Sequence, residues 1–505
     1  MSTGLTKRTR TLLISCVALL GVVGLLVAVI LLLPPAPIEQ PEPIVDLSVP
    51  LWKDDATVRV TKATITKGES SYTLTEGDGQ LYTVDGYEGL PLDHLYIQEI
   101  VDYFTDTTAL QLVVESTDSP TDFGFDTDTT AHVQVTLSNA TSRAFELGNA
   151  DPSGQGYYLR MADKPAIYLV DASFGEAILA DKKQLLSFAP ITAPESTKDD
   201  EVSAVRDVTL TGTVRPRPVR FEASAPVQSD EDTLIITGYV IREPYFHTVD
   251  KDTPLLRAAT FSEMTAEDVV MIHPTNADLK KYGLDTPYSE CTVNLALKEY
   301  TTEKDENGKE IEDIRYHTVF NYTIKLGNTD ENGNYYGIVY TEGTLIPIVY
   351  LFSPAQAVWA TYQFEDVADD MLFYQYIYNV NTMAITANGT RTEFVLTHDS
   401  KQTDDNKKLV VKAGGKTYDT ATFRSIYSAM MGIYRVEQSD ADPTGDPLLV
   451  IEYTQKAEYG GPVRISIYPI TAGQYLAVHS SGERHLVSAQ VVLQFLNTYN
   501  SFLNS

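Results

Sequence analysis

The stretch "FELGNADPSGQGYYLRM" occupies residues 145–161, and "IKLGNTDENGNYYGIVY" occupies residues 324–340. Each runs apolar, charged, Leu-Gly-Asn, then a polar turn containing Gly, then Tyr-Tyr and a strand-like run. Upstream of the first stands "DFGFDTDTTAHVQVTL" (122–137), and upstream of the second "KYGLDTPYSECTVNLAL" (281–297). Both give aromatic-Gly-apolar-Asp-Thr and then an alternation of period two, the mark of a half-buried strand. Downstream, "AIYLVDASFGEAIL" (166–179) and "IVYLFSPAQAVWA" (348–360) each predict a strand, a polar helix start at Asp171/Ser173 or Ser353/Pro354, and an apolar helical stripe. A phrase repeated in this way predicts a duplicated folding unit. The Gly and Asn of Leu-Gly-Asn are expected to take a left-handed backbone that turns the chain into the Tyr-Tyr strand.

The two copies differ in length. Asp126 to Leu147 is 21 residues, whereas Asp285 to Leu326 is 41. The excess matches the charged stretch "KEYTTEKDENGKEIEDIRYH" (298–317), which predicts a long exposed hairpin with "ENG" at its tip. A third, divergent copy is expected at 376–505. There "MAITANGTRTEFVLTHDSKQTDDNKKLVVKAGG" (383–415) parallels "ATITKGESSYTLTEGDGQLYTVDG" (63–86), but Leu-Gly-Asn is lost. An amphipathic helix follows each of these hairpins. The first carries Leu92, Tyr96, Ile100 and Phe104. The other has Asp419 as N-cap and Phe423, Ile426, Tyr427, Met430 and Tyr434 on one face.

The expected fold class is therefore α+β: an N-terminal transmembrane helix, then three related units of antiparallel strands with packed amphipathic helices. The boundaries are 1–10 for a cytoplasmic N-terminus, 11–33 for the membrane helix and 34–50 for a Pro-rich spacer. The first repeat unit is 51–190, the second 202–372 with its inserted hairpin at 298–317, and the third 376–505. Prolines in "VRPRPVRFEASAPVQSDED" (214–232) demote any central strand there to an edge or loop.

Thr11 to Leu33 carries no charge over 23 residues, enough for a helix to cross the hydrocarbon core. Lys7, Arg8 and Arg10 precede it, so the positive-inside rule places the N-terminus in the cytoplasm and the bulk of the chain outside. A cleaved signal peptide would have a shorter apolar core and a small-x-small site. The lipoprotein-like "LISC" at 13–16 lies too close to Arg10. An uncleaved single-pass anchor fits best. The formal charge of −31 argues against nucleic acid as a partner. Tyrosine outnumbers phenylalanine 31 to 17, which favours β-rich structure, with a glycan-stacking face as the sharper alternative. Of the two cysteines, Cys16 lies in the apolar run, and Cys291 heads a strand as a small buried hydrophobe.

No residue set announces a reaction. "GGKT" (414–417) lacks the upstream Gly of a phosphate loop, since position 410 is Val, and predicts a hairpin turn. "NTDENGN" (328–334) has calcium-loop spacing, but the bidentate position is Val339. Asp122, Asp126 and Asp128 cluster near the first signature, and paired carboxylates can run glycoside hydrolysis, but this spacing predicts solvated turn acids and the second copy keeps only Asp285. The histidines show no metal spacing. No catalytic residue, cofactor or metal is expected. The candidate binding residues are Tyr157, Tyr158, Tyr335 and Tyr336, one pair per copy, and His247 in "REPYFHTVD". His273 is the other candidate of the middle copy.

Taken together, the single anchor, "FGFDT" and "YGLDTP" before a strand, "LGN" before a Gly turn, "GYYLRM" and "NYYGIVY", and "IYLVDAS" before a helix resemble DUF4340, an uncharacterised bacterial family. The resemblance covers 60–188 best, then 230–372, then 380–505. It implies an extracytoplasmic protein associated with gliding-type ABC transport systems, beside a permease or auxiliary subunit. It brings no catalytic residues. The expected function is thus a non-catalytic accessory or assembly component of an ABC-type transporter in the cell membrane. The alternative is a free-standing envelope module that recognises glycan or peptide.

Overall fold

In the computed structural model, the described residues are 47–224, 238–304, 310–399, 402, 408–455 and 461–504. The expected cytoplasmic segment 1–10, the anchor 11–33, Cys16 and most of the spacer lie outside them. Among the described residues no helix is long and apolar enough to cross a membrane. The secondary structure is mostly antiparallel sheet with a few helices, an α+β fold. The contacts divide the chain into two compact units, 1–80 with 99–179, and 81–98 with 180–505.

In the first unit the alternation predicted for Ala131–Leu137 is met, with every odd residue buried. Its strands lie in the order Ser70–Glu76, Val60–Lys67, Ala131–Leu137, Ser142–Ala150, Gly156–Met161, Ile167–Asp171, Gln111–Val114, all antiparallel. One face is closed by aromatic rings. Phe145 lies 5.3 Å from Trp52, 5.9 Å from Phe174 and 6.2 Å from Phe104. Burying each such ring contributes about 1.5–3 kcal/mol. Two departures from expectation appear here. Val49–Lys53, which begins inside the expected spacer 34–50, is a strand that pairs with Asp106–Ala109. The helix His94–Thr105 buries Ile97, Ile100, Val101 and Phe104, while Leu92 precedes it. Ile100 and Phe104 are thus buried as expected, Ile97 and Val101 widen the stripe, and Leu92 and Tyr96 are half-buried.

The second unit contains two larger sheets. The strands of one run His247–Thr248, Tyr239–Glu243, Val219–Ala223, Glu201–Thr211, Ser289–Lys304, Glu310–Thr329, Tyr335–Thr341, Ile348–Phe352, Asp268–Ile272. The charged stretch extends the ladder as far as the pair Lys304 and Glu310, and its tip at 305–309 lies outside the described residues. The prolines of "VRPRP" fall between strands, but the expectation for 214–232 is corrected: Val219–Ala223, just after Pro218, pairs with Glu201–Thr211 on one edge and Tyr239–Glu243 on the other and is an interior strand, because the missing N–H groups lie outside its ladder. The other sheet runs Lys416–Tyr418, Leu409–Ala413, Thr390–His398, Val380–Ala387, Leu449–Gln455, Val463–Pro469, Gln474–His479, Arg484–Ser488, Arg435–Gln438. Helices Thr420–Met431 and Ala489–Leu503 cover it through Phe394, Phe423, Tyr499 and Phe502. Asp419 caps the first of these helices by accepting from Thr422 N, but Tyr434 lies beyond its end and is exposed.

All three sheets share one order. A hairpin leads, its first strand pairs with the start of a four-strand meander, and a strand that precedes the meander in sequence closes the far edge. The third sheet keeps this order although its sequence has lost Leu-Gly-Asn. The second sheet departs elsewhere. The helix expected after Ile348–Phe352 is replaced by a turn and a short 3-10 helix, Val358–Thr361. Arg215 explains the substitution. Its buried guanidinium donates to the carbonyls of Trp359 (2.5 Å), Ala360 (3.3 Å) and Tyr362 (2.6 Å), which do not continue into an α-helical ladder.

Candidate functional site

The repeated phrase forms a backbone clasp. At Leu147–Ala150 and at Leu326–Thr329 the strand register shifts, so each Leu-Gly-Asn is a β-bulge. The preceding aromatic-Gly turn presses onto it. A Cβ on Gly148 would lie 2.1 Å from Phe123 O, and one on Gly327 would lie 2.1 Å from Tyr282 O. Asn328 N donates to Tyr282 O at 2.8 Å. The left-handed residues are Gly124 and Gly283, with φ of 84° and 73°. Gly148 and Gly327 are not left-handed, which corrects the expected role of Leu-Gly-Asn: its Gly is required for close approach. In the third copy Val463–Pro469 pairs with Gln474–His479 without a register shift, and residues 439–448, ahead of the first meander strand Leu449–Gln455, hold no aromatic-Gly pair.

The paired tyrosines serve the same packing. All four are partly buried. Tyr158 meets Phe123 edge-on at 4.9 Å, and Tyr336 meets Tyr282 at 4.5 Å, so equivalent residues pack in both copies. Tyr158 Oη also donates to Asp151 Oδ1 at 3.1 Å. The ring of Tyr157 lies against Gly175, and Tyr335 stacks on Tyr288 at 5.8 Å. Asp122, Asp126 and Asp128 are exposed, and Asp126 accepts from Arg160 Nη2 at 2.9 Å. His273 is exposed as well. In "NTDENGN", Asp330 Oδ1 accepts from the backbone of Asn332 and Asn334, an Asx turn.

His247 lies in a different setting. It is buried, with Nδ1 3.0 Å from Thr248 O and Nε2 2.8 Å from Met371 O. Burial pushes its pKa down to about 4, against the pull of those two carbonyls, so the ring is neutral at pH 7 and donates to one of them. Around it the second and third sheets meet within one compact unit. Tyr245 stacks on His479 at 4.3 Å and packs on Phe364 at 4.7 Å. Tyr245 Oη lies 3.4 Å from His485 Nε2. His479 Nδ1 accepts from Ser481 N, and burial pushes this histidine down to about 4. His485 is pushed down to about 3 by burial, with Arg435 adding to the effect. Three of the chain's eight histidines are thus gathered here as neutral rings.

Two carboxylates complete the cluster. Glu483 precedes the strand Arg484–Ser488, and Glu365 sits on the short helix Phe364–Val367. Each offers an oxygen within 4.8 Å of the other and of a ring nitrogen of His485. Burial raises the pKa of Glu483, and Glu365 adds to the rise while Arg217 opposes it at 2.5 Å. Arg435 is buried and donates to the carbonyls of Glu365, Ala368 and Asp369, fixing the connector that carries Glu365. The connector itself bridges the two sheets: Val249 pairs with Ala368, and Met371 with Tyr434. A cavity of about 20 Å³, roughly the space of one water, lies beside His247, and an open groove of about 440 Å³ runs past Tyr245 and His479. Of this cluster the sequence marked only His247. Glu483 and His485 stand two apart on one strand, but nothing in their spacing joins them to Glu365.

A family model described as a domain of unknown function, DUF4340, matches residues 82–197. The chain is a DUF4340 domain-containing protein. No curated protein and no solved structure matches it. The DUF4340 match takes in the first clasp and the Tyr157–Tyr158 pair, whereas the Tyr245–His485 cluster lies outside it. In this DUF4340 protein Cys291 is fully buried, and burial pushes its thiol pKa up. A Cys16→Ser variant is therefore expected to resist thiol reagents in native buffer and to label only on unfolding. Rapid native labelling would contradict the buried placement.

Proposed function

We propose that the protein is a non-catalytic accessory or assembly component of an ABC-type transport system, anchored by residues 11–33 with the bulk of the chain outside the cytoplasm. The observation that carries this reading is the use of the repeated residues. Leu-Gly-Asn, the aromatic-Gly turn and Tyr-Tyr hold backbones together, as a scaffold built of repeats requires. The uncharged run behind Lys7, Arg8 and Arg10 supports the anchor, and the association with transport is what the family resemblance implies. The test is affinity recovery of the full-length protein from its own membranes in mild detergent, followed by mass spectrometry. An ABC permease and ATPase are expected in stoichiometric amounts. Recovery of the protein alone, with an unchanged level in cells lacking the transporter, overturns the reading.

A second reading, an envelope module for glycan or peptide, is favoured by one surface. Tyr300 is 51% exposed, with Lys298 Nζ 4.5 Å above its ring. It borders an open groove of about 570 Å³ shared with Tyr239 and Leu256. Retention of the protein on cell-wall fragments, lost in Tyr300→Ala, is the outcome that selects this reading.

A further inference from the structure

We propose that Glu365, Glu483 and His485 form a binding site for a divalent transition-metal ion of the zinc type. The inference is independent of the transport reading. Two carboxylates and an imidazole are a donor set that Zn²⁺ accepts, with water filling the remaining position. Their donor atoms lie within 4.8 Å of one another. Ligands on a tetrahedral ion at about 2.1 Å stand roughly 3.4 Å apart, so a contraction of at most about 1.4 Å closes the site.

The second observation is the state of those donors without an ion. His485 is 1% exposed, and its Nδ1 has no hydrogen-bond partner. Glu365 Oε1 is buried and also has none. Buried polar atoms are almost always paired, and two unpaired acceptors beside a second carboxylate point to a missing cation. The surroundings match those of metal ligands. Tyr245 Oη at 3.4 Å from His485 Nε2 can accept its proton, leaving the Nδ1 lone pair for the ion. Arg217 holds Glu483 Oε1 and leaves Oε2. Arg435 anchors the backbone of Glu365 and is offset by Asp370 at 3.6 Å. Among the described residues a second group, Glu201, Glu299 and His317, differs in that Glu201 is already held by Lys198, Ser196 and His317.

The experiment strips the full-length protein in detergent with chelator, then titrates it with Zn²⁺ by calorimetry while recording the thermal midpoint. One ion per chain is expected, with a midpoint that rises with Zn²⁺ and falls again on chelation. Glu365→Gln keeps the size of the side chain and removes no ion pair. It should weaken Zn²⁺ binding at least about 10-fold while keeping the metal-free midpoint of the parent. His485→Gln should do likewise, and Glu201→Gln should leave the affinity unchanged. Co²⁺ in place of Zn²⁺ should give the visible absorption of a four-coordinate site, abolished in Glu365→Gln. The proposal is overturned if the parent takes up no stoichiometric ion. Binding unaltered by both Glu365→Gln and His485→Gln overturns it too. So does a metal-free Glu365→Gln protein that is stabilised as much as the Zn²⁺-bound parent, since the carboxylates would then share a proton instead of a metal.

Discussion

Gly327→Ala is expected to destabilise the second unit by about 3 kcal/mol or more, beyond the usual cost of overpacking. The added methyl would stand 2.1 Å from Tyr282 O and 2.9 Å from Gly283 C. Both obstacles are backbone, so no side chain can swing aside. Relief requires the turn to lift off the bulge. That lengthens the bond from Asn328 N to Tyr282 O and separates Tyr336 from Tyr282. Gly148→Ala should act in the same way on the first unit through Phe123 O. Gly473→Ala is the control, because nothing lies within 4 Å of its added carbon, and a change within about 0.5 kcal/mol is expected. Urea unfolding of the three variants checks this. Equal midpoints for Gly327→Ala and Gly473→Ala would remove the clasp as an energetic feature.

Arg215→Ala should cost a similar or larger amount, about 3–5 kcal/mol. The guanidinium makes five hydrogen bonds, to the carbonyls of Thr211, Trp359, Ala360 and Tyr362 and to Ser289 Oγ. It is 6% exposed, and burial alone pulls its pKa down from the usual arginine value. Removing it leaves several buried acceptors without donors. Arg215→Lys should recover little, because one ammonium cannot span the fork. Trp359, fully buried beside these bonds, is the reporter: its emission should shift to the red in Arg215→Ala under native conditions. An unshifted spectrum and unchanged unfolding midpoint would show that water replaces the guanidinium at little cost.

The parts of this fold that depend on near neighbours were legible. Alternation in "AHVQVTL" marks a strand whatever it packs against, and Asp419 before Thr422 marks a helix start. The repetition of Leu-Gly-Asn and Tyr-Tyr was visible too, but its reason was not. A glycine chosen for close approach looks the same in sequence as one chosen for a left-handed turn. Only the position of Phe123 or Tyr282 tells them apart. Arg215 sits in a run of prolines that suggests an exposed loop, and its burial depends on carbonyls far along the chain. The Glu365–Glu483–His485 cluster was illegible for the same reason. Its members come from a connector and from the last sheet, and they converge only once that connector has bridged two edges.

The clasp also has a bearing on how the copies diverge. Where two main chains lie an atom's width apart, neither can mutate freely without the other, and the two halves of the signature are locked as a key is to its ward. Searching for Leu-Gly-Asn alone would find ordinary bulges, and searching for aromatic-Gly alone would find ordinary turns. The pair, at a separation that tolerates a whole inserted hairpin, identifies the unit. The third copy lacks Leu-Gly-Asn, has no aromatic-Gly pair ahead of Leu449–Gln455, and keeps its strand order without them. Without that coupling the third sheet has no close main-chain approach of this kind to protect, so the copy that is hardest to align is the one whose architecture asks least of any single residue.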